Sequence, residues 1–304
     1  MFKLKTFFFS CCTVQPINKE TEENFTPNGV VPKSDGPTHL AKSSSNKYVQ
    51  NEKISEAEIN KGPKLKIVAV EGTLIPLNTE FKVNPGGIVG GGRSKQDGET
   101  YIGYLKSAKG DKTVLNDIVL EDSSVGAQHC LIKYNREKKK YYLQDLGEGS
   151  GTFIKIEKEL ELKSGYIISF SDSHMLIHTR DPDLNLPSDE EQKPIQEDKK
   201  GNITIKFLDG PKVDQVFRFK AEDKVIKIGR MNDCQIKFDD NNLSRYQCTF
   251  KYFNNSWHII DGFRTKPSTN GTWLLVDNTI EISHEMIVKI GQTLFRIEVE
   301  PGSL

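Results

Sequence analysis

The chain has no long apolar run, no excess of either charge, and little sulfur or tryptophan. Its 304 residues carry 42 Lys and Arg against 42 Asp and Glu, with five Cys, four Met and two Trp. Each shortage excludes something. No apolar stretch approaches the roughly 20 residues that a transmembrane helix needs. Balanced charge removes the global attraction that draws a protein to nucleic acid, so any anion site must be local. The cysteines show no metal-ligand spacing: the one close pair, Cys11-Cys12, is adjacent and has no partner pair. Cys130, Cys234 and Cys248 lie in or beside strand-like runs and read as small buried hydrophobes. The set suits a reducing, intracellular compartment, cytoplasmic or nuclear, better than a disulfide-built secreted fold. No nucleophile, base and orienting group occur in a recognisable set, and no cofactor motif is present, so an enzyme is not expected.

What is present is β texture in two blocks. Residues 15–63 are rich in Asn, Ser, Lys, Glu and Pro, and the whole of 1–63 is expected to be a disordered N-terminal segment. Its start, MFKLKTFFFSCCTV, leaves three readings open: a short signal peptide, an unpacked end, or S-acylation of Cys11 and Cys12 beside two lysines and an aromatic patch. The last would give a peripheral membrane contact. From Lys64 short β-branched and aromatic runs follow one another: KLKIVAV, DIVL, HCLIKY, YYLQDL, GTFIKI, YIISF and HMLIHT. Residues 181–200 are charged and Pro-containing and read as a linker. The β texture then returns with NITIKFL, VFRFK, VIKIG, QIKF, YQCTF, WHII, TWLLV, MIVKI and LFRIEVE. The pattern predicts an all-β protein: two sandwiches of antiparallel sheets, over 64–180 and 201–300, joined by the charged linker.

The two blocks repeat each other in order. Gly92-Arg93 matches Gly229-Arg230, NDIVLED (116–122) matches NDCQIKFDD (232–240), and VGAQHCLIKY (125–134) matches LSRYQCTFKY (243–252). DLGEGSGTFI (145–154) then matches DGFRTKPSTNGTWL (261–274), and LKSGYIISF matches ISHEMIVKI. An ordered series of this kind indicates one module used twice.

In the second copy the polar loops are rich in phosphate-binding chemistry. Arg230 follows one strand, Ser244 and Arg245 precede another, and Thr269-Asn270 precede a third. Guanidinium groups supply charge and a planar fork of donors for phosphate oxygens. Hydroxyls donate without bulk, and a carboxamide offers donor and acceptor together, which suits a peptide backbone. Gly271 permits a backbone conformation that a side chain hinders. Each piece taken alone is also explained by turn chemistry, as an Asx or Ser/Thr turn.

Taken together, these motifs resemble the forkhead-associated (FHA) family, with its Gly-Arg, Ser-Arg-x-His and Asp-Leu-x-Ser-x-Asn-Gly-Thr patterns. The resemblance covers about 64–180 and 201–300. It implies an eleven-stranded β-sandwich that binds phosphothreonine peptides through loops at one end. It implies that Arg230 pairs with the phosphate, that Ser244 donates to it, and that Arg245 borders the site. Thr269 would lie near the phosphothreonine, and Asn270 would fix the peptide main chain. Gly229 and Gly271 would be structural, and Gln247 stands where the family has a bracing histidine. The first copy retains that histidine as His129, with Gly92, Gly151 and Arg93. It has Gly126 in place of the serine, Ala127 in place of the second arginine and Ser150 in place of the asparagine, so it is expected to be degenerate. Between Arg93 and Asn116 it carries an insertion in which Tyr101, Ile102, Tyr104 and Leu105 would form a hairpin.

The lysine run 138–140 reads as a solvated hairpin turn and not a nucleic-acid patch. His174 and His178 lack a third metal ligand. The expectation is a non-catalytic adaptor whose second module holds a phosphothreonine-containing protein. The first module would then be a structural unit or the surface for a second protein partner. The competing expectation is a purely structural scaffold.

Overall fold

The computed structural model describes residues 53–93, 96–107, 113–179 and 201–303. Cys11, Cys12 and the 181–200 linker lie outside the described residues. One short helix opens the described chain, α1 (Glu56–Lys61), with the Ser55 hydroxyl accepting from the Glu58 amide at 3.3 Å. Ile54, just before it, is buried in the core. This corrects the expectation of disorder for 53–63: two apolar anchors in a polar stretch, Ile54 and Ile59, dock the short helix on the core.

Everything else is strand. The first block contains β1 (Lys64–Glu71), β2 (Glu80–Asn84), β3 (Gly87–Ile88), β4 (Glu99–Gly103), β5 (Ile118–Val119) and β6 (Cys130–Asn135), then β7 (Lys140–Asp145), β8 (Thr152–Lys155), β9 (Leu160–Glu161), β10 (Ile167–Phe170) and β11 (Ser173–Thr179). The second contains β12 (Ile203–Asp209), β13 (Val216–Phe219), β14 (Val225–Gly229), β15 (Ile236–Lys237) and β16 (Cys248–Phe253), then β17 (Ser256–Asp261), β18 (Trp273–Leu275), β19 (Ile280–Glu281), β20 (Met286–Ile290) and β21 (Thr293–Glu300). Alternation drives the pairing: in β12, Ile203, Ile205 and Phe207 are buried while Thr204 and Lys206 face outward. Turn chemistry fixes the hairpins. The β16–β17 turn is Asn254-Asn255, both left-handed at φ 50° and 63°, which matches the twist of the flanking strands. Of the lysine run, Lys138 and Lys139 lie in the exposed β6–β7 turn and Lys140 opens β7.

The sheets do not follow the division into two contiguous modules. One eleven-stranded sheet has the order β13-β12-β11-β10-β18-β8-β20-β21-β1-β2-β3. Two five-stranded sheets have the orders β15-β14-β16-β17-β9 and β5-β4-β6-β7-β19. Read from its two ends, the long sheet has a pseudo-twofold axis between β8 and β18, which pair antiparallel through Leu274 and Ile154. The last strands of each copy cross this axis. β1 pairs with β21, β12 with β11, β17 with β9, and β7 with β19.

Two apolar cores result, and each draws on both copies. One joins Leu65, Ile102, Ile132 and Leu143 to Val276, Ile282, Val288, Ile290, Phe295 and Ile297. The other joins Ile205, Phe207, Phe250 and Trp257 to Ile156, Leu162, Ile168, Phe170, Met175 and Ile177. The physical reason is that the closing strands of the two copies carry the same alternation, so either set fits either core. A second correction concerns strand direction: β4–β5 and β14–β15 are parallel pairs in otherwise antiparallel sheets.

Candidate functional site

The site forms at one end of the sandwich that contains β14, β16 and β17. Strand β14 ends at Gly229, where an added Cβ would overlap the Arg245 carbonyl oxygen. Glycine therefore lets the Arg230 segment lie against the 243–246 loop. There the Arg230 amide donates to the Ser244 carbonyl at 3.4 Å and the Met231 amide to the Arg245 carbonyl at 3.3 Å. Ser244 in turn joins the 268–272 loop: its Oγ accepts from the Thr269 amide at 2.8 Å and lies 3.3 Å from the Thr269 hydroxyl.

Beneath the two loops sits Gln247, buried. Its amide donates to Ile228 at 2.7 Å, and its Nε2 lies within donating distance of Gly271 O (2.9 Å), Ser268 Oγ (3.0 Å) and Thr272 Oγ1 (3.3 Å). Asp261 completes the brace, accepting from the Ser268 amide and hydroxyl at 3.0 and 2.6 Å and from Thr272 Oγ1 at 2.7 Å. Gly271 adopts φ 78°, a left-handed conformation costly for other residues. The Asn270 carbonyl accepts from the Trp273 indole at 3.2 Å, leaving its exposed carboxamide to solvent.

Arg230, Ser244 and Thr269 are thus brought together, with Arg245 and Asn270 adjacent in chain. Both arginines are exposed, and among the described residues neither guanidinium has a carboxylate within ion-pair distance. Cys234, buried beneath, donates weakly to the Arg245 carbonyl at 3.7 Å, and burial pushes its thiol pKa up. The longer 262–267 stretch is a tight turn closed by mutual Phe263–Lys266 backbone bonds. Phe263 packs on Tyr246 at 4.8 Å, with Arg264 over it.

The first copy has a different arrangement, and one correspondence needs correcting. Strand β4, not the 86–93 stretch, occupies the place of β14: it pairs parallel with β5 and antiparallel with β6, as β14 does with β15 and β16. Gly103 is the counterpart of Gly229, since a Cβ there would overlap the Ala127 carbonyl. Tyr104, whose amide donates to Gly126 O at 2.8 Å, stands in the place of Arg230. Gly92 and Arg93 lie before this strand. Arg93 is consumed internally: it bonds Asp97 at 2.8 Å, Asp117 at 3.2 Å and the Glu99 carbonyl at 3.1 Å, and lies 4.4 Å from the Tyr101 ring centre. Burial works against its charge, but Asp117 and Asp97 outweigh burial and raise its pKa. Tyr101 and Ile102 are part of β4, not of a separate hairpin. The parallel YIGY against KIGR (225–230 being VIKIGR) was the available signal, masked by the more conspicuous GGGR.

The remaining first-copy positions match their counterparts in place but not in chemistry. At Gly126 an added Cβ would overlap the Glu148 side chain, so no serine fits there. Ala127 offers only its carbonyl, bonded by Asn116 at 2.6 Å. The Ser150 amide donates to the Ser124 carbonyl at 2.8 Å. Gly151 takes φ 88°, like Gly271. His129, fully buried, accepts at Nδ1 from the Gly126 amide at 3.1 Å and so braces a loop as Gln247 does.

Among the described residues no group of three or more His, Cys, Asp or Glu side chains could hold a metal, and no helix is long and apolar enough to cross a membrane. Fold and loops together place a polar loop cluster at one end of a β-sandwich. The FHA domain family model matches the chain twice, over residues 111–171 and 226–291. That match supports an FHA-domain assignment for these stretches, and with it a non-enzymatic, adaptor-type classification, because the FHA domain is a non-catalytic interaction module. The chain is also similar to a yeast protein in a structure titled "Crystal Structure of Full-Length Yeast Pml1p", at 19% identity over 37% of this chain and 74% of that one, with a TM-score of 0.23. No curated protein matches the chain.

Proposed function

We propose that the protein is a phosphothreonine-peptide-binding adaptor that acts through the second copy, while the first copy serves as a phosphate-independent structural or interaction unit. The observation that carries this reading is the difference between the two loop ends. Arg230 and Arg245 are exposed, with no carboxylate at ion-pair distance among the described residues, and their backbones belong to the segments bonded around the interlocked Ser244 and Thr269 hydroxyls. The corresponding first-copy positions are Tyr104, Gly126 and Ala127, with Glu148 filling the space above the glycine. Phosphothreonine brings nearly two negative charges and three acceptor oxygens. Charge-assisted bonds to these are worth about 1.5–3 kcal/mol each, so the two ends differ by orders of magnitude in expected affinity.

The test is calorimetric titration of the whole protein with phosphothreonine peptides and their unphosphorylated twins, repeated with Arg230→Ala. Phosphate-dependent binding that the substitution reduces by at least tenfold supports the reading. Equal, weak binding of both twins would leave the scaffold function instead.

A further inference from the structure

The strand exchange places residues of the first copy beside the second copy's loop. In β8, Lys155 is the cross-strand partner of Trp273. Its Cε lies 3.2 Å from where a Cβ on Gly271 would stand, so the end of this side chain lies beside Gly271. A second lysine, Lys289 of β20, holds its Nζ 5.7 Å from the centre of the Trp273 ring. The indole of Trp273 is bonded to the Asn270 carbonyl. Both lysines are half-buried, and among the described residues neither has a carboxylate within ion-pair distance. Two partly desolvated cations without counter-ions thus flank one aromatic ring at the lip of the loop.

The pseudo-twofold axis supplies an internal control. Phe153 stands for Trp273 in the first copy, and Gly151 for Gly271. There, a Cβ on Gly151 would meet Leu275 Cδ1 at 2.7 Å, so leucine occupies the position of Lys155. Ser169, which pairs with Trp273 as Lys289 pairs with Phe153, occupies the position of Lys289. Lys155 beside the Gly271 loop thus has an apolar counterpart, Leu275, beside Gly151, while Lys289 is shared: it pairs with Phe153 and its Nζ reaches the Trp273 ring.

We infer that Lys155 and Lys289 form a second anion contact on the ligand path of the second copy, selecting phosphothreonine peptides that carry another negative group on the flank that runs past Asn270. This rests on the phosphothreonine reading and deepens it. The anion is an acidic side chain or a second phosphate; both present oxygens that an ammonium binds as a point charge.

The test uses the whole protein, because the exchange joins both copies. Fluorescein-labelled phosphothreonine peptides with neutral flanks, with glutamates on one flank or the other, and with a second phosphothreonine are titrated by anisotropy against wild type and a Lys155→Gln/Lys289→Gln double variant. The wild type is expected to favour an anion-flanked peptide over the neutral one by about fivefold, with the preference shrinking at high salt. The double variant is expected to lose that preference while keeping the neutral peptide's affinity and its phosphate dependence. Whichever arm shows the gain identifies the anion. Equal wild-type affinity for neutral and anionic flanks, or a preference unchanged in the variant, overturns this inference alone. Wild-type binding that ignores phosphate on every peptide overturns the phosphothreonine reading and this inference with it.

Discussion

Cutting the chain between residues 181 and 200 distinguishes exchanged from self-contained modules. With a protease site placed there, cleavage yields a front piece ending after β11 and a rear piece beginning before β12. In the exchanged fold, the front piece contributes Ile156, Leu162, Ile168, Phe170, Met175 and Ile177 to a core otherwise built by the rear piece. The rear piece returns Val276, Ile282, Val288, Ile290, Phe295 and Ile297. At about 1.5–3 kcal/mol per buried side chain, each group of six contributes about 9–18 kcal/mol gross. Association of two free pieces costs about 4–15 kcal/mol. Both groups together exceed that cost, and surface pairs such as Lys66–Glu298 and Lys140–Glu281 add to the join. The cleaved protein should therefore elute from gel filtration as one species of uncut size, and come apart only in denaturant. Two separately eluting pieces, each with a cooperative unfolding transition, would refute the exchange.

Gln247→Ala removes the donor under Gly271, Ser268 and Thr272 and should cost about 1–3 kcal/mol, read as a lower midpoint in urea; Gln247→His should recover part of the loss. Arg93→Met leaves Asp117, whose side chain is 3% exposed, without its cation. A loss of about 3–5 kcal/mol is expected by chemical denaturation, with phosphopeptide affinity unchanged. His174 has its pKa lowered by burial, with Asp209 acting against and Lys289 adding to the shift. The unfolded chain then takes up a proton near the ordinary histidine value while the folded chain does not. Stability should fall as pH drops below about 6.5, and His174→Gln should flatten that slope in thermal melts across pH 5–8.

Much of this was legible in the residues, and the parts that were not have physical causes. Strands such as β12 and β16 announce themselves by alternation, and the repeat emerges from ordered matches, four of which keep their place in the structure. The 243–246 and 268–272 loops are legible as a set, because Ser, Arg, Thr and Asn recur in order at strand ends, although turn chemistry explains each piece alone. Strand exchange was invisible, since LKSGYIISF and ISHEMIVKI present the same apolar faces to either core. Both FHA-matched stretches run across the crossover, so a match in chain order is equally blind to it. The Gly92-Arg93 correspondence failed because the defining property of Gly229 is a backbone approach to the carbonyl of Arg245, distant in sequence, as Gly103 approaches that of Ala127, and no local motif displays it. Short strands such as β3 and β9, two residues each, have no periodicity to read.

The central claim is that the phosphate sits between Arg230, Ser244 and Thr269. Backbone amide spectra of the labelled protein, recorded while a phosphothreonine peptide is added, test it directly. Resonances of 229–231, 244–246 and 268–271 should move, those of 103–104, 126–128 and 148–151 should not, and the unphosphorylated twin should move neither set. Shifts centred on the first copy's loops, or alike for both peptides, would contradict the account.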